Sequence, residues 1–188
     1  MVAAAQKRAQ ELNLPLRLMF EDEARFGRMS SPYAAWAPKP IRPSVELALV
    51  REFEYVYCAV SPQDGQSVWH IQKQMNTECM GEFLQKVSNT FPKEIVLMIL
   101  DGASCHKAKA LEVPPNIILE FLPPYSPELN PTEHIWDEMR EKFFANRIFS
   151  SMDLVLKQIN KAITQFQTHA ETLRSITYWP WIKSAILN

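Results

Sequence analysis

The sequence has no apolar run approaching the roughly 18 residues needed to span a bilayer; its longest is Ile95–Leu100. Its opening, MVAAAQKRAQ, lacks the apolar centre of a secretory signal. Neither a membrane protein nor an exported one is expected, which leaves the cytoplasm. Cysteine is scarce: Cys58, Cys79 and Cys105 form no CxxC pair. An odd count argues against a disulfide framework and suits a reducing compartment. An excess of one charge is also missing. With a formal net charge of −1, overall charge does not supply a grip on nucleic acid, so any such grip must come from a local basic surface, a partner or a metal. Internal repeats and low-complexity segments are absent too. What remains is 188 residues, 47% hydrophobic and 22% charged, the balance of one globular domain with a sizeable core.

Hydrophobic periodicity orders the chain. Residues 3–12 are rich in helix formers and predict a short helix closed by Asn13 and stopped by Pro15. From Leu16, LRLMFED alternates with period two and predicts a strand ending at the acidic cluster. Residues 27–44 hold Gly27, four prolines and several serines, the composition of a loop or a short edge strand. Glu54–Ser61 and Gln66–Gln72 flank the turn sequence PQDG and predict a hairpin. Asn76 or Thr77 can cap a helix to about Asn89 whose inner face is Met80, Phe83, Leu84 and Val87. Ile95–Asp101 has the continuous apolar character of a central strand covered on both faces. Another short strand is expected at Ile117–Leu122. Pro131 suits the first turn of a helix running to about Asn146. Two more helices are expected at 151–167, capped by Ser150 or Ser151, and at 170–177. The aromatic tail YWPWIKSAIL should pack onto the body. This order predicts an α/β domain around one mixed sheet.

Acidic residues fall where elements end. Asp22 closes the first strand on the face of Leu18 and Phe20, with Glu21 and Glu23 turned to the other face. Asp101 follows IVLMIL, where a carboxylate is poorly solvated unless a cleft or a cation lies there. Glu133 sits in a helix's first turn after a proline-rich loop. Each alone has an ordinary explanation as a turn former, a cap or a helix-dipole partner. Together, two strand-end aspartates and a helix-borne glutamate can converge on one cleft. Their mutual repulsion there is relieved by hard divalent cations.

The segments FEDEARFGRMSSPYAAWAPK, VLMILDGASCHKAK and FLPPYSPELNPTEHIWDEMREKF resemble those of DDE transposases of the insertion-sequence-630 type, relatives of the mariner superfamily. The resemblance covers about Leu16 to Trp181, and 31 residues separate Asp101 from Glu133. It implies a ribonuclease-H-like fold, a central mixed β-sheet flanked by α-helices. It also implies that Asp22, Asp101 and Glu133 hold two magnesium or manganese ions. Such ions, about 3.5–4 Å apart, activate the attacking oxygen and stabilise the leaving one. The implied activity is cleavage at transposon ends and transfer of the freed 3′-hydroxyl into target DNA. DNA is then the partner, with a homodimer assembled on it and the nucleoid as the place of work.

Full-length members of that family carry helix-turn-helix modules ahead of the catalytic domain. Here a single catalytic domain over 1–188 is expected, with 1–15 a short helix or linker and no such module. The chain is then a fragment, a reading frame whose DNA-binding half is a separate polypeptide, or an inactive remnant acting as a regulator. A stand-alone endonuclease of the same fold is a further alternative.

Secondary candidates surround the three acids. Asp137 shares a helical face with Glu133 as a neighbouring or substitute ligand. His106 either contacts phosphate or tunes a metal ligand, or it is a hydrogen-bonded histidine beside the cleft. Cys105 and His106 with His134 match no zinc spacing. Trp136 is expected to pack its helix onto the sheet. Arg25, Arg28, Lys107, Lys109, Arg140, Lys142 and Arg147 form a candidate basic rim for phosphates, with solvated charge the plainer reading of each. Trp36 and the prolines after it are a candidate surface for DNA or a second subunit.

Overall fold

The alternation that starts at Leu16 does not stop at the acidic cluster. A computed structural model describes residues 2–30 and 32–187; Met1, Ser31 and Asn188, which fall in the expected domain and its proline-rich stretch, lie outside the described residues. Strand β1 runs from Leu16 to Met29, well past Asp22. Ala24 and Phe26 keep the period of two and are buried, and antiparallel pairing with β2 (Leu49–Val60) carries the ribbon on to Met29↔Leu49. Gly27, which opens the stretch expected as a loop or a short edge strand, lies in the ladder opposite Phe53. Its missing side chain leaves room for the Glu52 carbonyl oxygen, which a Cβ would meet at 2.1 Å. Asp22 is therefore inside a long strand, not at its end, and β2 begins five residues before the expected Glu54.

The hairpin closes through β3 (Ser67–Gln72), antiparallel to β2. Helix α1 covers Val2–Leu12. Helix α2 (Thr77–Thr90) is capped by Asn76, whose side chain accepts from Cys79 N–H, and it buries Met80, Phe83, Leu84 and Val87 as the spacing predicts. Strands β4 (Ile95–Leu100) and β5 (Ile117–Phe121) run parallel to β1. The sheet order is β3-β2-β1-β4-β5, a mixed sheet with helices on both faces and the ribonuclease-H-like architecture.

Both faces are closed. On one, Phe20, Ala24, Phe26, Val56, Cys58 and Trp69 meet helices α3 (Thr132–Met139), α4 (Met152–Thr168) and α5 (Ala170–Thr177). On the other, Met19, Tyr57, Ala59 and Met98 pack with α2. The reverse side of β1 is thus not a solvent face, and Glu21 is fully buried there. Pro131 caps α3 from outside its first turn. After Met139 the backbone loosens into a π-helical turn over Arg140–Phe144, which ends the helix short of Asn146. Ser151 caps α4. The tail is helical as well: α6 spans Pro180–Leu187, Ile182 enters the core, and the Trp181 ring meets Phe20 edge-on.

Candidate active site

Register brings the first two acids level. The last parallel pair of β1 with β4 is Phe20↔Ile99, and Asp22 and Asp101 each lie two residues beyond it. Parallel neighbours in register share a face, so both carboxylates emerge where β1 and β4 leave each other. Crevices at the carboxyl ends of parallel strands are where α/β sheets hold ligands. The third acid arrives from the loop that crosses this end. After β5 the chain runs through LPPYSPELNP and a short 3-10 turn at Pro127–Leu129, then enters α3 with Glu133 in the first turn. Asp22, Asp101 and Glu133 line one cleft of about 450 Å³ together with Lys107, Tyr125 and Asn130.

Each acid is held differently. Asp22 Oδ2 accepts a hydrogen bond from Trp136 Nε1 at 2.8 Å. One turn after Glu133, that indole is fully buried, so it packs the helix as expected and also orients the first acid. Asp101, half-exposed, accepts the Ala103 N–H at 2.8 Å on Oδ1, and His106 Nδ1 stands 2.9 Å from the same oxygen. The loop carrying Glu133 is tied down by Asn130, buried, whose amide donates to the Glu21 carbonyl at 2.9 Å and accepts the Thr132 N–H at 3.2 Å. Sequence reading gave Asn130 no role. Its only signal was a polar residue wedged between Leu129 and Pro131.

Burial and crowding raise these carboxyl groups. Asp22 is pushed up to about 7, first by burial and then by the charge of Glu133, against the opposing Trp136 bond. Glu133 is raised by burial, with Asp137 and Asp101 adding to it while Arg140 pulls it down. Such a set is poorly neutralised by protein alone. An all-oxygen donor set of this kind matches the preference of hard cations such as magnesium or manganese.

On the reverse face of β1 the candidate His106 gathers Glu21 and Glu23 around it, partners that the sequence reading did not foresee. His106 is buried and stands 2.9 Å from Glu23 Oε1 and 4.0 Å from Glu21 Oε2 through Nε2. Burial lowers the His106 pKa, but the bond and charge of Glu23 and the charge of Asp101 outweigh it and leave the ring raised. Glu21 is held well above the ordinary carboxylate range by burial, then by Glu23, Asp22 and Asp101. Neither of its side-chain oxygens has a hydrogen-bond partner among the described residues.

Of the other candidates, Asp137 is exposed, faces Arg140 at 3.8 Å and does not line the cleft. Lys107 does line it, and its ammonium stands 5.0 Å over the Phe121 ring. Lys109 and Arg147 are exposed. Arg25 stacks over Phe53, Arg140 over Phe26, and Lys142 pairs with Glu138. Arg28 is committed to the fold: it donates to the Phe149 carbonyl at 3.0 Å and to Glu52 at 2.8 Å. Arg25, Arg140 and Arg147 share a small pocket beside the β1–β2 ribbon. Trp36 is fully exposed, as a surface for a partner requires.

The family described as the DDE superfamily endonuclease matches residues 17–155. An uncharacterized protein, y4pE/y4sA of Sinorhizobium fredii, is 34% identical over 128 residues, which is 68% of this chain and 95% of that one. Among solved structures, the Mos1 mariner paired-end complex with manganese superposes with a TM-score of 0.61 at 15% identity, covering 94% of this chain and 58% of its own. The Mos1 paired-end complex with the left transposon end gives 0.58 at 14% identity, covering 94% and 60%. At this identity the likeness shows the fold. The chain spans about 60% of the Mos1 chains it matches.

Proposed function

The chain belongs to the DDE superfamily of endonucleases, and we propose that it is the catalytic domain of a cut-and-paste DNA transposase whose acids are Asp22, Asp101 and Glu133. The observation that carries this reading is the convergence of three carboxylates from β1, β4 and α3 on one cleft, two of them raised by burial and by their neighbours. Two magnesium or manganese ions held by these acids would supply an activated attacking oxygen and a stabilised leaving one. The solved Mos1 complexes with manganese and with magnesium are in keeping with such ions.

The chain's own groups prepare the site. Trp136 fixes the Asp22 carboxylate, the Ala103 N–H fixes that of Asp101, and Asn130 anchors the loop that delivers Glu133. Orientation of this kind accounts for a large share of catalysis when little covalent chemistry falls to the protein. Lys107 at the cleft, with Lys109, Arg25, Arg140, Lys142 and Arg147 around it, takes the phosphates. Water cleaves a phosphodiester at the transposon end and leaves a 3′-hydroxyl. That hydroxyl then attacks a phosphodiester of the target, joining the two DNAs and releasing a target 3′-end. Two ends must meet for this, so the working form is a homodimer on DNA, with end recognition supplied by a helix-turn-helix region or a separate DNA-binding polypeptide. No described helix is long and apolar enough to cross a membrane, and the site of action is the nucleoid.

The deciding experiment compares wild type with Asp101→Asn in manganese-dependent nicking of duplex DNA, then in joining a 3′-hydroxyl end to a plasmid. Nicking and joining that both vanish in the variant support the reading. Equal nicking by the two proteins overturns the acid assignment, and nicking without joining reduces the protein to a stand-alone endonuclease.

A further inference from the structure

We propose that Glu23 and His106 form a clamp behind the acid cleft that sets the orientation of the Asp101 carboxylate, so that both are positioning residues for it. The proposal rests on the reading of Asp22, Asp101 and Glu133 as the metal-holding acids.

The geometry is that of a bridge between two strand ends. The β1–β4 ladder stops at Phe20↔Ile99, so at the level of Asp22 and Asp101 no backbone pairing joins the strands. His106 fills that gap. Its Nδ1 stands 2.9 Å from Asp101 Oδ1, and its Nε2 stands 2.9 Å from Glu23 Oε1. Glu23 directly follows Asp22, so the imidazole ties the segment bearing the first acid to the carboxylate of the second. Each ring nitrogen thus faces a carboxylate oxygen within hydrogen-bond distance.

The clamp is rigid where its target is not. The side chains of His106 and Glu23 are 1% and 3% exposed, whereas that of Asp101 is 56% exposed. A half-exposed aspartate at the start of a loop would otherwise turn freely about its side-chain bonds. Here Oδ1 receives the Ala103 N–H and the His106 ring, and Oδ2 takes neither bond. One oxygen is fixed to the protein, and the other is free to bind a cation. Groups that hold a metal ligand from behind in this way typically change metal affinity by roughly 10- to 100-fold when removed.

Two further groups lie beside the clamp. Cys105 has its sulfur, with one ligand atom each of Glu23 and His106, inside a 4.8 Å cluster of metal-binding size. Both ring nitrogens of His106 already face carboxylate oxygens at 2.9 Å, so the clamp accounts for the cluster without a second metal. Glu21 lies 4.0 Å from His106 Nε2, beyond hydrogen-bond reach, and does not close the bridge.

The test is calorimetric titration of manganese into the metal-free chain, with thermal melting of each variant to establish that it folds. Asparagine can offer its amide where Nδ1 stands, and glutamine only where Nε2 stands. His106→Gln should therefore weaken manganese binding by roughly 10- to 100-fold, while His106→Asn, which keeps the Asp101 contact and loses only that to Glu23, should weaken it by a smaller factor. Glu23→Gln, a milder change that tolerates folding failures at His106, should weaken binding in the same direction by a smaller factor. A merely structural histidine would lower melting in both His106 variants and leave the affinity of the folded protein alone. Folded His106→Gln and Glu23→Gln chains with wild-type affinity overturn the clamp and leave the acid assignment standing. A wild-type chain that binds no manganese overturns both.

Discussion

Trp136 Nε1 donates to Asp22 Oδ2 across 2.8 Å, so the helix that carries the third acid also holds the first. Trp136→Phe keeps most of the packing against Phe26 and Trp69 but deletes this donor. A charged acceptor in a nearly dry site loses its partner, which costs about 1–3 kcal/mol. The urea midpoint of the metal-free protein should fall accordingly, with little change in its slope. A midpoint equal to wild type would show that the bond contributes nothing.

The crowding of Asp22 by Glu133 has a pH signature in the metal-free protein. With its folded pKa raised to about 7, Asp22 contributes stability that is full below the ordinary aspartate pKa and is lost as pH rises through about 7. Glu133→Gln removes the second-largest cause of that rise, so the Asp22 pKa should fall towards the ordinary range and the loss on the alkaline side should shrink. Carboxyl carbon shifts followed by NMR across the titration check this directly. An unmoved Asp22 midpoint would mean that the two side chains do not sense each other.

Asn130 fastens the proline-rich loop to β1 through one buried bond and ties it to the start of α3 through another. Asn130→Ala orphans the Glu21 carbonyl and the Thr132 N–H, an expected loss of about 1–3 kcal/mol. Backbone exchange at Thr132 should accelerate well beyond that in α2, which the change does not touch. Equal protection in variant and wild type would remove Asn130 from the site's framework.

The basic residues separate into two kinds. Lys107 lines the cleft and is exposed, whereas Arg28 is bonded to Phe149 and Glu52. Lys107→Ala should lower the slope of log affinity for duplex DNA against log salt by about 0.9, one phosphate contact. Arg28→Ala should leave that slope unchanged and lower thermal stability instead. The reverse pattern would relocate the DNA path to the ribbon side.

Much of this protein was legible before folding because its signals are local. The period of α2, the apolar run of β4, the turn at PQDG and the cap at Ser151 each act within a few residues. The three candidate acids could be picked out as well, since Asp101 follows an apolar run, Glu133 opens its helix and the motif around Glu133 resembles a known family, but the cleft they share could not. Composition misled where pairing partners decide. The stretch opening at Gly27 read as a loop or a short edge strand, yet β2 holds Gly27 in the ladder, and Glu21, expected on the face opposite Asp22, is fully buried. Asp137 shares a helical face with Glu133, but it is exposed, pairs with Arg140 and does not line the cleft.

The sequence by itself determined most of the strands and helices and singled out Asp22, Asp101 and Glu133 as candidate carboxylates, because propensity and periodicity are properties of neighbouring residues. Only the tertiary structure decided what those carboxylates touch. The bonds from Trp136 to Asp22, from His106 to Asp101 and Glu23, and from Asn130 to Glu21 span separations of 114, 5, 83 and 109 residues. Apart from the contact within the loop after β4, no local pattern encodes them. They exist because β1 pairs with β2 and β4 at once, and burial on both faces of that strand forces every polar group near it to find a partner or remain uncompensated.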